Sequence, residues 1–178
     1  MSEAQQRRLV APLAAAVPEI GRWLWALEDT RRRTRETLGR VAQAQLDWPP
    51  PGGGNSIGTL LYHLALIEAD YLAIDVLGLP DWPEELLRHF PYPDRDDQGR
   101  LTVVRATALE AHLERLALVR ERLLATFALL TPDDFWRPRA LPSYTISPEW
   151  TLHHLMQHEA EHRGEIAMLR DLAAQAGV

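Results

Sequence analysis

The chain of 178 residues is predicted to be all-α, a four-helix bundle with long crossover connections. Three observations predict it. Four stretches carry apolar residues at the 3–4 spacing of a helix with one buried face. Proline-rich breaks separate those stretches. No run sustains the alternation of a strand, and no internal repeat is present. Amphipathic helices joined by long connections are the pattern of a bundle with crossovers.

The first helical stretch runs from Pro18 to Gln45. Pro18 and Glu19 suit a first turn, and Trp23, Leu27, Leu38 and Val41 recur at roughly helical spacing. Pro49-Pro50-Pro51-Gly52-Gly53-Gly54 then breaks the chain. Asn55 or Ser56 is a natural N-cap for a second helix, Ile57 to Leu77. Its stripe is Ile57, Leu60, Leu64, Ile67, Tyr71 and Ile74.

Gly78 to Gly99 is a long connection rich in Pro, Asp and Trp, with a short helix expected near Glu84 to His89. Connections of this length often shape a site. Thr102 is read as the cap of a third helix ending near Leu130, with Leu109, Leu113, Leu116, Leu123 and Phe127 on its stripe. Thr131 to Ser147 is a second irregular stretch, in which Ser143-Tyr144-Thr145-Ile146 is strand-like but short. Ser147-Pro148-Glu149 places Ser at the N-cap and Pro at the first turn of a fourth helix, which ends near Ala174.

Composition narrows the function classes. Hydrophobic residues at 46% and charged residues at 25% are ordinary for a globular chain, so residues 1–178 read as one domain. A net charge of -6 argues against nucleic acid as a partner. Arg31, Arg32, Arg33 and Arg35 form the only dense basic run and read as a solvated helix face. With no cysteine, disulfides, thiolate ligands and a Cys nucleophile are excluded. Any transferred thiol must then come from a co-substrate. The polar start, Met1 to Gln6, leads into no signal core. No apolar run of 18 residues is read in the chain, so no membrane partner is expected and the cytoplasm is the expected location.

The functional signal is His158-Glu159-Ala160-Glu161-His162. Residues four apart share a helix face, so two imidazoles can close on one metal ion. At about 100° per residue, with His158 at zero, His162 falls at about 40°, Leu155 near 60°, Leu169 and Thr151 near 20°, and His154 near -40°. The pair therefore faces inward. Burying two imidazoles requires partners for their ring nitrogens. A metal ion is one explanation and a hydrogen-bonded core pair is another. His63 lies between Leu60 and Ile67 on the second helix's inward stripe. Three histidines from two helices can form a facial site with open positions.

The remaining histidines read differently. His153 points off the stripe. His154 lies on its edge and is the substitute ligand. His89 and His112 read as surface residues. The pentapeptide fits the zinc-protease motif literally, but no third ligand follows the helix and no sheet is present to bind a peptide. Glu159 could act as a general base beside a metal-bound water, or could be an exposed helix residue. Glu165 is better aimed to orient a ligand's second nitrogen. Trp82, Phe90, Tyr92 and Trp136 either line an apolar pocket or cap the bundle ends.

Three features together resemble the DinB-like superfamily: Asn55-Ser56-Ile57-Gly58-Thr59-Leu60-Leu61-Tyr62-His63-Leu64, the segment from Leu152 to Gly164 with its His158-x-x-x-His162-Arg163-Gly164, and the order of helices and caps across nearly the whole chain. The resemblance implies an up-down-down-up bundle. It also implies a divalent metal (zinc, nickel or iron) on His63, His158 and His162, and a homodimer. Characterised relatives include thiol S-transferases using bacillithiol and a mycothiol-dependent isomerase. Glu165 departs from the family, which often has Gln there. The function expected is therefore a metal-dependent transfer of a low-molecular-weight thiol to a small electrophilic substrate, a reaction class taken from the resemblance alone. The alternatives are a non-catalytic metal-binding or stress-response bundle, and a metal-dependent hydrolase using Glu159.

Overall fold

The structure is a computed structural model that describes residues 9–178. The polar stretch Met1 to Gln6 lies outside the described residues. Helix α1 spans Pro18–Leu38, with Pro18 in its first turn. Besides Gly21, its buried positions are Ile20, Leu24, Leu27, Arg31, Thr34 and Leu38, a step of three or four each time. The helix was expected to reach Gln45. It stops at Leu38 because Gly39 takes a φ of 52° and turns its N–H back to the Arg35 carbonyl. A left-handed φ suits glycine, which has no Cβ. The chain resumes as α2, Gln43–Asp47.

Helix α3 spans Ile57–Asp70, and the Ser56 hydroxyl accepts the Thr59 N–H at 3.2 Å as its cap. Every residue from Ile57 to Leu66 is buried, which marks a central helix rather than a one-faced one. A π-helical turn, Tyr71–Val76, continues it. The combined run Ile57–Val76 is long and apolar enough to cross a membrane, contrary to the sequence expectation. Yet 78% of its apolar window is buried inside the fold, as in the core helix of a bundle.

The long connection contains α4, Glu84–Leu87. Thr102 does not start a helix. Residues 101–108 form no helix, with a bend at Ala106, where φ is 54°, and the segment's start is held by pairing of Arg95 with Leu101 and by the Thr102 N–H on the Asp94 carbonyl at 2.9 Å. Helix α5 is Leu109–Leu129, with buried His112, Leu116, Val119, Arg120, Leu123 and Phe127. Next comes α6, Pro132–Trp136, capped by the Thr131 hydroxyl. Strands β1, Arg139–Ala140, and β2, Thr145–Ile146, then form a small antiparallel hairpin. It is tied to the π-helical turn: the Tyr144 hydroxyl donates to Asp75 at 2.8 Å, and Arg139 donates to the Val76 carbonyl at 2.9 Å. The expected cap at Ser147 is present, accepting from the Trp150 N–H, and α7 spans Pro148–Gln175.

Helix α7 packs on α1 and α3, and α5 packs on α3 and α1. Among the described residues the core has two apolar clusters. One takes Leu38 from α1, Leu60 and Leu64 from α3, Leu116 and Val119 from α5, and Ile166 and Leu169 from α7. The other takes Ile20, Leu24 and Leu27, then Leu72 and Val76, then Leu123 and Phe127, then Leu152 and Leu155. Helices α1 and α7 thus run from the second cluster to the first, and α3 and α5 run the opposite way. On each helix a buried charged residue falls at the passage between clusters: Arg31, Glu68, Arg120 and Glu159.

Candidate metal centre

His63 projects from the middle of α3 and is 5% exposed. His158 and His162 project from α7, one turn apart and half-buried. His158 Nε2 lies 3.1 Å from His63 Nε2 and 3.1 Å from His162 Nε2. The donor atoms of all three lie within 4.8 Å of one another. Sequence spacing placed two of these together, and the fold brings in the third from 95 residues upstream.

Protons alone satisfy this cluster poorly. A ring nitrogen has one bonding direction, filled by a proton or by a lone pair. His158 Nε2 faces two other Nε2 atoms, so one contact at most is a good hydrogen bond. Metal–imidazole bonds of about 2.0–2.1 Å at angles of about 90–110° put ligand nitrogens about 2.8–3.4 Å apart. The observed 3.1 Å separations fall within that range. The three residues therefore fit a divalent ion, with imidazole donors suited to zinc, nickel or iron.

Two carboxylates flank the group. His63 Nδ1 is 2.5 Å from Asp94 Oδ1. A proton on Nδ1 donated to that oxygen leaves the His63 Nε2 lone pair directed at the cluster, the arrangement that orients metal-bound histidines. Asp94 is held by its loop. The Tyr62 hydroxyl, one residue before His63, donates to the Tyr92 carbonyl at 2.7 Å and accepts the Tyr92 N–H at 3.0 Å. Two residues on, Asp94 reaches the imidazole. Sequence reasoning missed Asp94, whose only signal was an acidic residue in a long connection. On the other side Glu165 Oε1 stands 3.4 Å from His162 Nδ1. That nitrogen is buried without a hydrogen bond, so Glu165 is near it but does not yet hold it.

Burial, and then the charges of His162 and His63, push the His158 pKa down to about 3. His162 is also lowered, by burial opposed by Glu165. Desolvation alone would raise Asp94, but the His63 hydrogen bond and neighbouring cations hold it below the usual carboxylate range. His158 and His162 are thus set to offer neutral imidazoles, and Asp94 stands behind His63 as a carboxylate.

Glu159 is not brought to this group. It is 2% exposed, with Oε1 on Arg31 Nε at 2.8 Å and Oε2 on Arg120 Nη2 at 3.0 Å. Both guanidiniums also grip Glu68. This corrects the expectation of Glu159 as a general base, which needs a free oxygen within reach of the reacting proton. It also corrects the reading of Arg31 as solvated. Arg32 and Arg33 do lie exposed, paired with Asp29.

His154 stands beside the group rather than in it. Its ring stacks on Trp150 at 4.9 Å and on His158 at 5.7 Å. His153 and His89 are exposed, as expected. His112 is not: it is 1% exposed, and burial followed by the nearby Arg115 charge pushes its pKa down to about 4. Trp82, Phe90 and Tyr92 line a groove of about 550 Å³ that includes Asp94, whereas Trp136 lies elsewhere.

A family model described as the DinB superfamily matches residues 26–166. A crystal structure of a conserved protein from Enterococcus faecalis has a similar fold, with a TM-score of 0.63, 17% identity, and coverage of 84% of this chain and 94% of that one. No curated protein matches the chain.

Proposed function

Starting from the fact that the chain belongs to the DinB superfamily, we propose that His63, His158 and His162 hold a divalent metal ion and that the protein transfers a low-molecular-weight thiol to a small electrophile. The observation that carries the proposal is the convergence of three Nε2 atoms from two helices, with Asp94 behind one of them. An ion held by His63, His158 and His162 would supply Lewis acidity at neutral pH.

The chain's own residues do the rest. Asp94 holds the His63 proton on Nδ1 and so keeps the Nε2 lone pair available. Tyr62 and Tyr92 hold the loop that carries Asp94. The groove of Leu66, Trp82, Phe90 and Tyr92 beside Asp94 offers apolar walls for the carbon skeleton of an electrophile. The chain contributes no sulfur nucleophile, having no cysteine. In the overall reaction the thiol S–H bond and the electrophile's bond to its leaving group break, a C–S bond forms, and the leaving group departs with the thiol proton.

The test has two parts. Protein purified without added metal is assayed for bound elements, beside His63→Ala, His158→Ala and His162→Ala. Loss of the bound ion in each variant is expected, and undiminished metal in all three would sink the site. Metal-loaded protein is then screened for conjugation of a thiol panel to 1-chloro-2,4-dinitrobenzene. Bound metal without metal-dependent conjugation of any thiol favours a non-catalytic metal-binding bundle.

A further inference from the structure

The buried charges between the two apolar clusters form one connected unit. Arg31 of α1 donates from Nη2 to Glu68 Oε2 at 2.7 Å and from Nε to Glu159 Oε1 at 2.8 Å. Arg120 of α5 donates from Nε to Glu68 Oε1 at 2.6 Å, and from Nη2 to Glu68 Oε2 at 2.9 Å and Glu159 Oε2 at 3.0 Å. The remaining donors are reciprocal. Arg31 Nη1 reaches the Leu116 carbonyl of α5, and Arg120 Nη1 reaches the Leu27 carbonyl of α1, each at 3.0 Å. Two buried cations and two buried anions, each 2–4% exposed, thereby pair with one another, and Arg120 Nη1 also donates to Glu28 Oε1 of α1 at 2.9 Å, a carboxylate that is partly exposed.

The position of the two carboxylates is informative. Glu68 is on α3, the helix of His63, and Glu159 follows His158 directly on α7. Each guanidinium therefore ties together the two helices that carry the histidines. A buried ion unit is weak evidence for stability, because desolvating the charges offsets their attraction. Its better attested use is to fix register. A one-residue slip of α7 against α3 would rotate His158 by about 100° and move it about 1.5 Å along the axis, enough to break the Nε2 convergence.

We infer that Glu68, Glu159, Arg31 and Arg120 are positioning residues that set the register of α3 against α7, and so hold the three imidazoles in contact. The inference deepens the proposed metal site but can be read without an ion.

The test uses the full chain, with Glu159→Gln and a charge-balanced double variant, Arg31→Met with Glu159→Gln. The single variant leaves a surplus buried cation and can fail to fold; the double variant keeps the Arg120–Glu68 pair and one charge of each sign. The three histidine ring resonances are followed by 1H–15N NMR in metal-free protein, with thermal unfolding alongside. Movement of those ring resonances in a double variant that remains folded supports positioning. Unchanged ring resonances in the folded variant overturn it, whatever happens to its stability. Cobalt(II) titration of wild type is the separate arm. If wild type binds cobalt, the double variant is expected to bind about 10-fold or more weakly, with altered d–d bands. If wild type binds none, the metal reading falls while the ring resonances still decide the positioning.

Discussion

The residue behind His63 offers the sharpest test of how the site is built. In Asp94→Ala the Oδ1 acceptor at 2.5 Å from His63 Nδ1 is removed. A hydrogen bond to a charged group contributes about 1.5–3 kcal/mol when buried. The Asp94 side chain is 24% exposed, which argues for the lower half of that range, roughly 1.5–2 kcal/mol. The loss falls on metal affinity, because the freed ring can turn or place its proton on Nε2, where it blocks the lone pair. At 1.4 kcal/mol per decade, the expected weakening is about 10- to 30-fold. Competition against a chromophoric chelator at pH 7 measures it. Asp94→Asn, whose amide oxygen can still accept from Nδ1, is expected to fall between. Affinity for Asp94→Ala within about twofold of wild type would refute the role given to Asp94.

Two further outcomes are expected. His112 titrates near 6.5 when unfolded and is pushed to about 4 in the fold. The unfolded chain therefore binds the extra proton between those values, and stability drops as pH falls through that window, by about 3 kcal/mol in all. Urea unfolding of wild type and His112→Gln at pH 7 and pH 4.5 should show a smaller loss in the variant; equal losses would remove His112 as the cause. Tyr62→Phe deletes both bonds that hold Tyr92, at a cost of roughly 1–2 kcal/mol, and hydrogen exchange should quicken at the loop amides near Tyr92 and Asp94. Unaltered exchange there would show that the loop is held by other contacts.

The helices were legible because their ends carry local chemistry: Pro18, Ser56 and Ser147-Pro148 begin helices where expected. The two mistaken ends have local causes too. Gly39 stops α1 early, and the Thr102 N–H is tied to the Asp94 carbonyl in a segment that turns helical only at Leu109. The buried charges were harder. Arg31 sits in the run Ile20, Leu24, Leu27, Arg31, Thr34, Leu38, which is a buried stripe by spacing alone. Its charge and its neighbours Arg32 and Arg33 hid that register. Asp94 was out of reach altogether, since no periodicity links a loop carboxylate to a helix histidine.

The α7 wheel shows how a right inference can rest on a misplaced centre. Its buried residues are Pro148, Thr151, Leu152, Leu155, Glu159, Ile166, Leu169 and Ala173. With His158 at zero, at about 100° per residue, they span about 20–120° and centre near about 70°. Glu159, at about 100°, is therefore well inside the stripe, and His158 lies at its edge with His162 a little further in. The edge explains the partial exposure of His158, whereas His162, with 15% of its side chain exposed, falls inside the stripe's angular span. Closed coordination buried at a stripe's centre serves a structural ion, whereas a catalytic ion needs a side left open to an exchangeable ligand. His158 at the rim, with His63 beneath it and the Asp94 loop alongside, is the placement from which the proposal of chemistry rather than a staple is drawn.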